Sequence, residues 1–116
     1  MTWNLLTVAF GGGKYKQGQN FLGKQAKKCD INHIAFTDDD IFESELVKEN
    51  KEWFSKENGY GWFAWKPYAI LKAMENLEEG DKILYLDTLD IFHPDVFKFV
   101  DTLMGDDPCL LCVASS

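Results

Sequence analysis

The chain has 116 residues, 46% of them hydrophobic, 15% aromatic and 27% charged, with a net charge of −7. That composition fits one compact domain over residues 1–116 and is too apolar for intrinsic disorder, while no run reaches the roughly 18 apolar residues of a membrane span. All 12 basic residues are lysines, and the missing arginine and acidic balance speak against a nucleic-acid partner, whose phosphates need a basic footprint.

Met1-Thr2-Trp3-Asn4 has neither the basic region nor the apolar run of a secretory signal, so the chain reads as cytoplasmic. Leu5 to Phe10 is apolar and partly β-branched and breaks at Gly11-Gly12-Gly13, which predicts a buried strand and a glycine-rich turn. A short helix is expected next, with Phe21, Leu22 and Ala26 on one face and Lys24, Lys27 and Lys28 on the other. Ile34 to Thr37 reads as a second strand, stopped by Asp38-Asp39-Asp40, which offer an N-cap to the next helix. Residues 41–57 predict one charged helix with a thin stripe of Phe42, Leu46, Val47, Trp53 and Phe54, ended by Asn58-Gly59.

Tyr60 to Trp65 is a loop crowded with rings, and Pro67 then falls in the first turn of a helix, where its missing N–H is harmless. Ala69, Ile70, Ala73, Met74 and Leu77 give that helix an apolar face. After the Gly80-Asp81 turn, Lys82 to Leu86 predicts a third strand that delivers Asp87 at its carboxyl end. His93-Pro94-Asp95 opens a last helix with Val96, Phe97, Val100 and Met104 inward, and Cys109 to Ala114 closes as a fourth strand. The order β-α-β-α-α-β-α-β predicts an α/β fold, a mostly parallel sheet with helices on both faces. Ligands of such folds bind beyond the carboxyl ends of the strands, where the Gly11 turn, the Asp38 triplet and Asp87 to Asp90 all fall.

Several constellations there carry chemistry. Asp87 and Asp90 offer hard oxygens to a divalent cation such as Mg²⁺ or Mn²⁺ bridging a diphosphate; the alternative is a solvated strand end and a turn cap. Gly11-Gly12-Gly13-Lys14 could cradle a phosphate or form a plain turn; it has neither P-loop nor dinucleotide-fingerprint spacing. Asp38 is placed to hydrogen-bond a ribose or base, against the reading of the triplet as a cap that complements the helix dipole. The rings Tyr60, Trp62, Phe63 and Trp65, with Lys66 beside them, form either a platform for a sugar or base, or an anchor onto the sheet. Cys109 and Cys112 read as small buried hydrophobes, since residues three apart on a strand face opposite ways. Neither histidine has an obvious cysteine or serine partner for nucleophilic catalysis.

Gly59-Tyr60-Gly61-Trp62-Phe63-Ala64-Trp65-Lys66-Pro67-Tyr68, then Gly80-Asp81 and Ile83-Leu84-Tyr85-Leu86-Asp87, resemble nucleotide-sugar glycosyltransferases of the GT-A type. The resemblance covers residues 58–95 and, loosely, the first strand. It implies a Rossmann-like donor-binding half, truncated relative to the family, in which Asp87 places a Mn²⁺ or Mg²⁺ ion and the donor diphosphate. The family's usual D-x-D is not present: Tyr85-Leu86-Asp87 is D-x-D-like with an aromatic in place of the first acid, and Asp87-Thr88-Leu89-Asp90 offers Asp90 as the second acidic ligand. Taken with the glycine turn and the Asp38 triplet, this leads to Phe10, Gly11, Gly12, Lys14, Asp38, Trp62, Trp65, Lys66 and Tyr85 being expected to line the nucleotide-sugar site. The acceptor is unspecified, and no catalytic base is visible. A non-catalytic nucleotide or sugar binder, or an assembly module, is the alternative. A sheet cut from a larger fold leaves an apolar flank, so a homodimer is expected to cover it.

Overall fold

The computed structural model describes residues 3–54, 64–88 and 95–106. Strand β1 (Trp3–Ala9) is followed by helix α1 (Gly13–Lys28) and strand β2 (Asn32–Thr37). Two short helices, α2 (Asp38–Phe42) and α3 (Glu45–Glu49), and a 3₁₀ turn at Lys51–Trp53 come next. Helix α4 (Trp65–Met74), strand β3 (Lys82–Tyr85) and helix α5 (Val96–Met104) complete the described elements. The three strands form one all-parallel sheet in the order β2-β1-β3. This α/β arrangement is compatible with a Rossmann-like fold. Among the described residues no helix is long and apolar enough to cross a membrane.

β1 is central, and its residues from Asn4 onward are buried on both sides. Alternation along the strand divides the core in two. Leu5 packs with Leu22 and Ala26 of α1 and Phe97 of α5 on one face. Val8 and Phe10 pack with Ile41, Val47, Trp65 and Ala69 from α2, α3 and α4 on the other. Helices therefore cover both faces, as the alternation of elements predicts. Each fully buried Leu or Ile contributes about 1.5–3 kcal/mol by leaving water. At the amino end of the sheet, Asn4 cross-links the strands: its Nδ2 donates to the Lys82 carbonyl at 3.1 Å, and its Oδ1 accepts from Asn32 at 2.8 Å.

Four expectations need correction. The helix after Gly13 is not short but has 16 residues, and its buried positions are Gln19, Leu22 and Ala26. Phe21, one residue round from that face, is half exposed. The single helix expected over 41–57 is broken before Ser44 and again at Asn50. Both side chains compete with the backbone: Ser44 Oγ donates to the Ile41 carbonyl, and Asn50 Nδ2 to that of Leu46 at 2.9 Å. The N-cap of α2 is Thr37, not an aspartate; Asp38, Asp39 and Asp40 fill its first turn instead. Helix α4 starts at Trp65 with Pro67 in its first turn, and ends at Met74, short of Leu77.

Cys29 is a free thiol, half-buried beside the Leu5 cluster. The ring residues Tyr60, Trp62 and Phe63, the turns at Asn58-Gly59 and His93-Pro94, Asp90, and the expected strand over Cys109 to Ala114 lie outside the described residues.

Candidate functional site

The site is built where β1, the central strand, hands over to α1. Ala9 is the last strand residue, and Gly11 turns the chain at φ 102°, a left-handed conformation that glycine adopts without steric cost. Gly12 then caps α1, its carbonyl accepting from the amides of Tyr15 and Lys16 at 3.2 and 3.4 Å. The first turn of α1 carries no acidic side chain and no side-chain cap. The positive end of the helix dipole thus sits, uncompensated by a carboxylate of its own turn, beside the carboxyl end of β1. Lys14 stands on this turn, exposed, with Nζ 5.1 Å from the Tyr15 ring centroid.

β2 and β3 flank β1 and deliver Asp38 and Asp87 at the same end of the sheet. Two ion pairs join these strand ends to neighbouring helices. Lys16 of α1 reaches Asp38 at 3.7 Å, and Lys66 of α4 reaches Asp87 at 3.6 Å. Tyr85, the last residue of β3, donates its hydroxyl to Asp87 Oδ1 at 3.5 Å. The Lys66 ammonium also lies 5.4 Å from the Trp65 ring centroid. Phe10 and Trp65 stack at 5.0 Å with their planes 7° apart, and Phe10 meets Phe42 at 5.3 Å. The Phe10 and Trp65 rings are buried, so they form the floor under Lys66 and hold the start of α4 against β1.

Of the residues expected to line the site, the structure therefore gathers Gly11, Gly12 and Lys14 on the β1–α1 turn and Asp38 after β2. Tyr85 and Asp87 come from β3, and Phe10, Trp65 and Lys66 from the β1–α4 contact. Trp62 and Asp90 fall outside the described residues. Among the described residues no three His, Cys, Asp or Glu side chains converge as metal ligands. A cage made wholly of described side chains is thus not present, and Asp87 stands as a single exposed carboxylate paired with an ammonium. That donor set suits a hard cation only in the manner of Mg²⁺, which takes one or two carboxylates and completes its shell with phosphate oxygens and water.

Three contacts beneath the site are not foreseen from the residue pattern. Gly18 of α1 meets the carbonyl of buried Thr88, and Gly23 meets the His33 ring, each so close that a Cβ would collide. Glycine in a helix interior costs about 1 kcal/mol relative to alanine; that cost is the signal in the sequence which marks both positions. The third contact is a polar network. Gln19 Nε2 donates to the Phe36 carbonyl at 2.8 Å and to Thr7 Oγ1 at 3.1 Å, and Thr7 Oγ1 lies 2.8 Å from His33 Nε2. The Thr7 hydroxyl can donate to His33 Nε2 or accept from it, according to the ring tautomer. Burial pushes the pKa of His33 below its ordinary value.

A cavity of about 240 Å³ opens beside α2 and α4, lined by Phe36, Ile41, Tyr68 and Ala69 with Asp40 and Lys72 among its polar groups. Comparison with protein-family models, with curated proteins and with solved structures yields no match to this chain.

Proposed function

We propose that this chain binds a nucleoside-diphosphate sugar at the carboxyl ends of its strands, as a glycosyltransferase-like protein of GT-A type. One observation carries the reading: an uncapped helix N-terminus after β1, and a lysine–carboxylate pair after the neighbouring β3, lie at the same end of the sheet. β1 connects through α1 to β2 on one side, and the chain then crosses from β2 to β3 on the other; in open α/β sheets of this order ligands lie beyond the strand ends between the first and third strands.

The diphosphate lies against the first-turn amides of α1 and the Lys66 ammonium, the nucleoside extends toward Asp38, and the sugar faces an acceptor that supplies a hydroxyl. Backbone amides at a helix start and a lysine are both suited to phosphate oxygens. Asp87 would hold a Mg²⁺ or Mn²⁺ ion, which when bound offsets the charge on the departing diphosphate. Gly11 and Gly12 keep the approach to these amides clear of side chains.

The experiment is a thermal-shift screen against nucleotides and nucleotide sugars, with and without Mn²⁺. A ligand that binds only the folded chain raises the Tm when present above its Kd. The reading requires a nucleotide-sugar shift that grows with Mn²⁺; no shift with any donor overturns it. Transfer or hydrolysis of the bound donor then separates an enzyme from a binder.

A further inference from the structure

Lys66 and Asp87 set the cationic and anionic halves of the proposed donor site against each other, 3.6 Å apart. The backbones that carry them are fixed. Lys66 follows Trp65, which is buried and stacked on Phe10, and Asp87 precedes Thr88, which is buried with its carbonyl against Gly18. The two side chains themselves are 38% and 59% exposed. The pair can therefore open by side-chain rotation alone, without moving a strand or helix. Lys66 also stands in the first turn of α4, at the positive end of the helix dipole. A nearby anion is favourable there, and Asp87 supplies it when no ligand is bound.

We infer that the Lys66–Asp87 pair is a latch that couples anion and divalent-cation binding at this site. A diphosphate oxygen and Asp87 compete for the same ammonium, while a divalent cation and Lys66 compete for the same carboxylate. Whichever ligand arrives first opens the pair and releases the other group from this contact. The coupling adds to the direct attraction between cation and phosphate, and it is reciprocal. The inference rests on the donor-site reading above.

The latch reverses the sign expected of a simple ligand residue. In metal-free buffer, Asp87→Asn should tighten binding of pyrophosphate, about two- to fivefold, the range that an exposed ion pair imposes. Without any phosphate present, Lys66→Ala should tighten Mn²⁺ by a similar factor. With Mn²⁺ and pyrophosphate together, both variants should bind more weakly than the parent. Titration calorimetry reads the anion, and the Mn²⁺ electron-spin signal reads the free cation.

Glu75→Gln removes the same charge from an exposed position paired with Lys72, and should leave pyrophosphate affinity unchanged. In a Lys66→Ala background, Asp87→Asn should have no greater effect than Glu75→Gln. An Asp87→Asn variant that binds metal-free pyrophosphate no better than the parent overturns the latch. So does an undiminished effect of that substitution in the Lys66→Ala background. In both cases parent binding of pyrophosphate leaves the donor-site reading standing. A parent protein that binds neither pyrophosphate nor a nucleotide sugar removes that reading and the latch with it.

Discussion

Gly18 lies against the carbonyl oxygen of Thr88 so closely that a Cβ on the glycine would stand 1.8 Å from it. This contact fixes the turn carrying Asp87 against helix α1. Gly18→Ala gains about 1 kcal/mol of helix propensity but drives a methyl group into backbone, which no rotamer change relieves. The clash wins, and a net loss of about 1–3 kcal/mol is expected by denaturant unfolding. Gly13 has nothing within 4 Å of its would-be Cβ, so Gly13→Ala should be neutral or stabilising. Equal stability of the two variants would show that the Thr88 turn yields freely.

Asp87 and Lys66 have separable effects on a complete donor. With Mn²⁺ present, Asp87→Asn should abolish the metal-dependent increment in nucleotide affinity while leaving the unfolding transition in place, since the side chain is exposed. Lys66→Ala should weaken a nucleoside diphosphate about fivefold or more, the loss of one charge-assisted phosphate contact, and the bare nucleoside hardly at all. Equal losses for nucleoside and diphosphate would place Lys66 in the scaffold rather than on the phosphates.

His33 ties stability to pH. Its folded pKa is lowered by burial, so the unfolded chain binds more protons at pH values just below the ordinary histidine value of about 6.5. The contribution of neutral His33 is fully present above that value and is lost as pH falls through the folded pKa. In the protonated ring both nitrogens carry a hydrogen, so Thr7 Oγ1 must then accept from Nε2. Urea midpoints should therefore fall on acidification from neutral pH, and the slope should flatten in His33→Gln. Parallel slopes in the two proteins would assign the acid sensitivity to carboxylates instead.

The residue pattern exposes the parallel sheet and the convergence at its carboxyl ends, because short apolar runs broken by glycine or aspartate mark buried strands and where they stop. Leu5, Val8, Leu22 and Ala69 are core residues on this reading and are buried in the structure. The break at Ser44 is hidden, because the stripe of Leu46 and Val47 continues across it and the competing hydroxyl leaves no periodic mark. The partners of Lys16 and Lys66 are equally hidden. Each ion pair joins elements far apart in sequence, so spacing along the chain carries no trace of it. Lys66 nevertheless signals the need for an anion by standing at a helix start, and Asp87 meets that need. The ring platform is legible only as a cluster of aromatics. That Phe10 and Trp65 stack as floor depends on the register of α4 against β1.

Asp40 closes the β2–α2 junction that aims Asp38 at Lys16. Its carboxylate accepts from the Thr37 amide at 2.8 Å and from the Thr37 hydroxyl at 3.2 Å. It also sits in the first turn of α2, where negative charge is favourable. Asp40→Ala removes both bonds and the charge, and should cost about 0.5–2 kcal/mol, the range for a lost helix cap. Asp40→Asn keeps an acceptor oxygen and loses only the charge, so its cost should be smaller and should shrink further in high salt, where dipole interactions are screened. Asp39 shares the helix turn but its side chain takes no part in the Thr37 bonds, and Asp39→Ala should report the dipole contribution alone. Denaturant unfolding of the three variants at low and high salt checks the order Asp40→Ala, then Asp40→Asn, then Asp39→Ala. If Asp40→Ala and Asp39→Ala cost the same, charge near the helix start suffices and the Thr37 bonds add nothing to the junction.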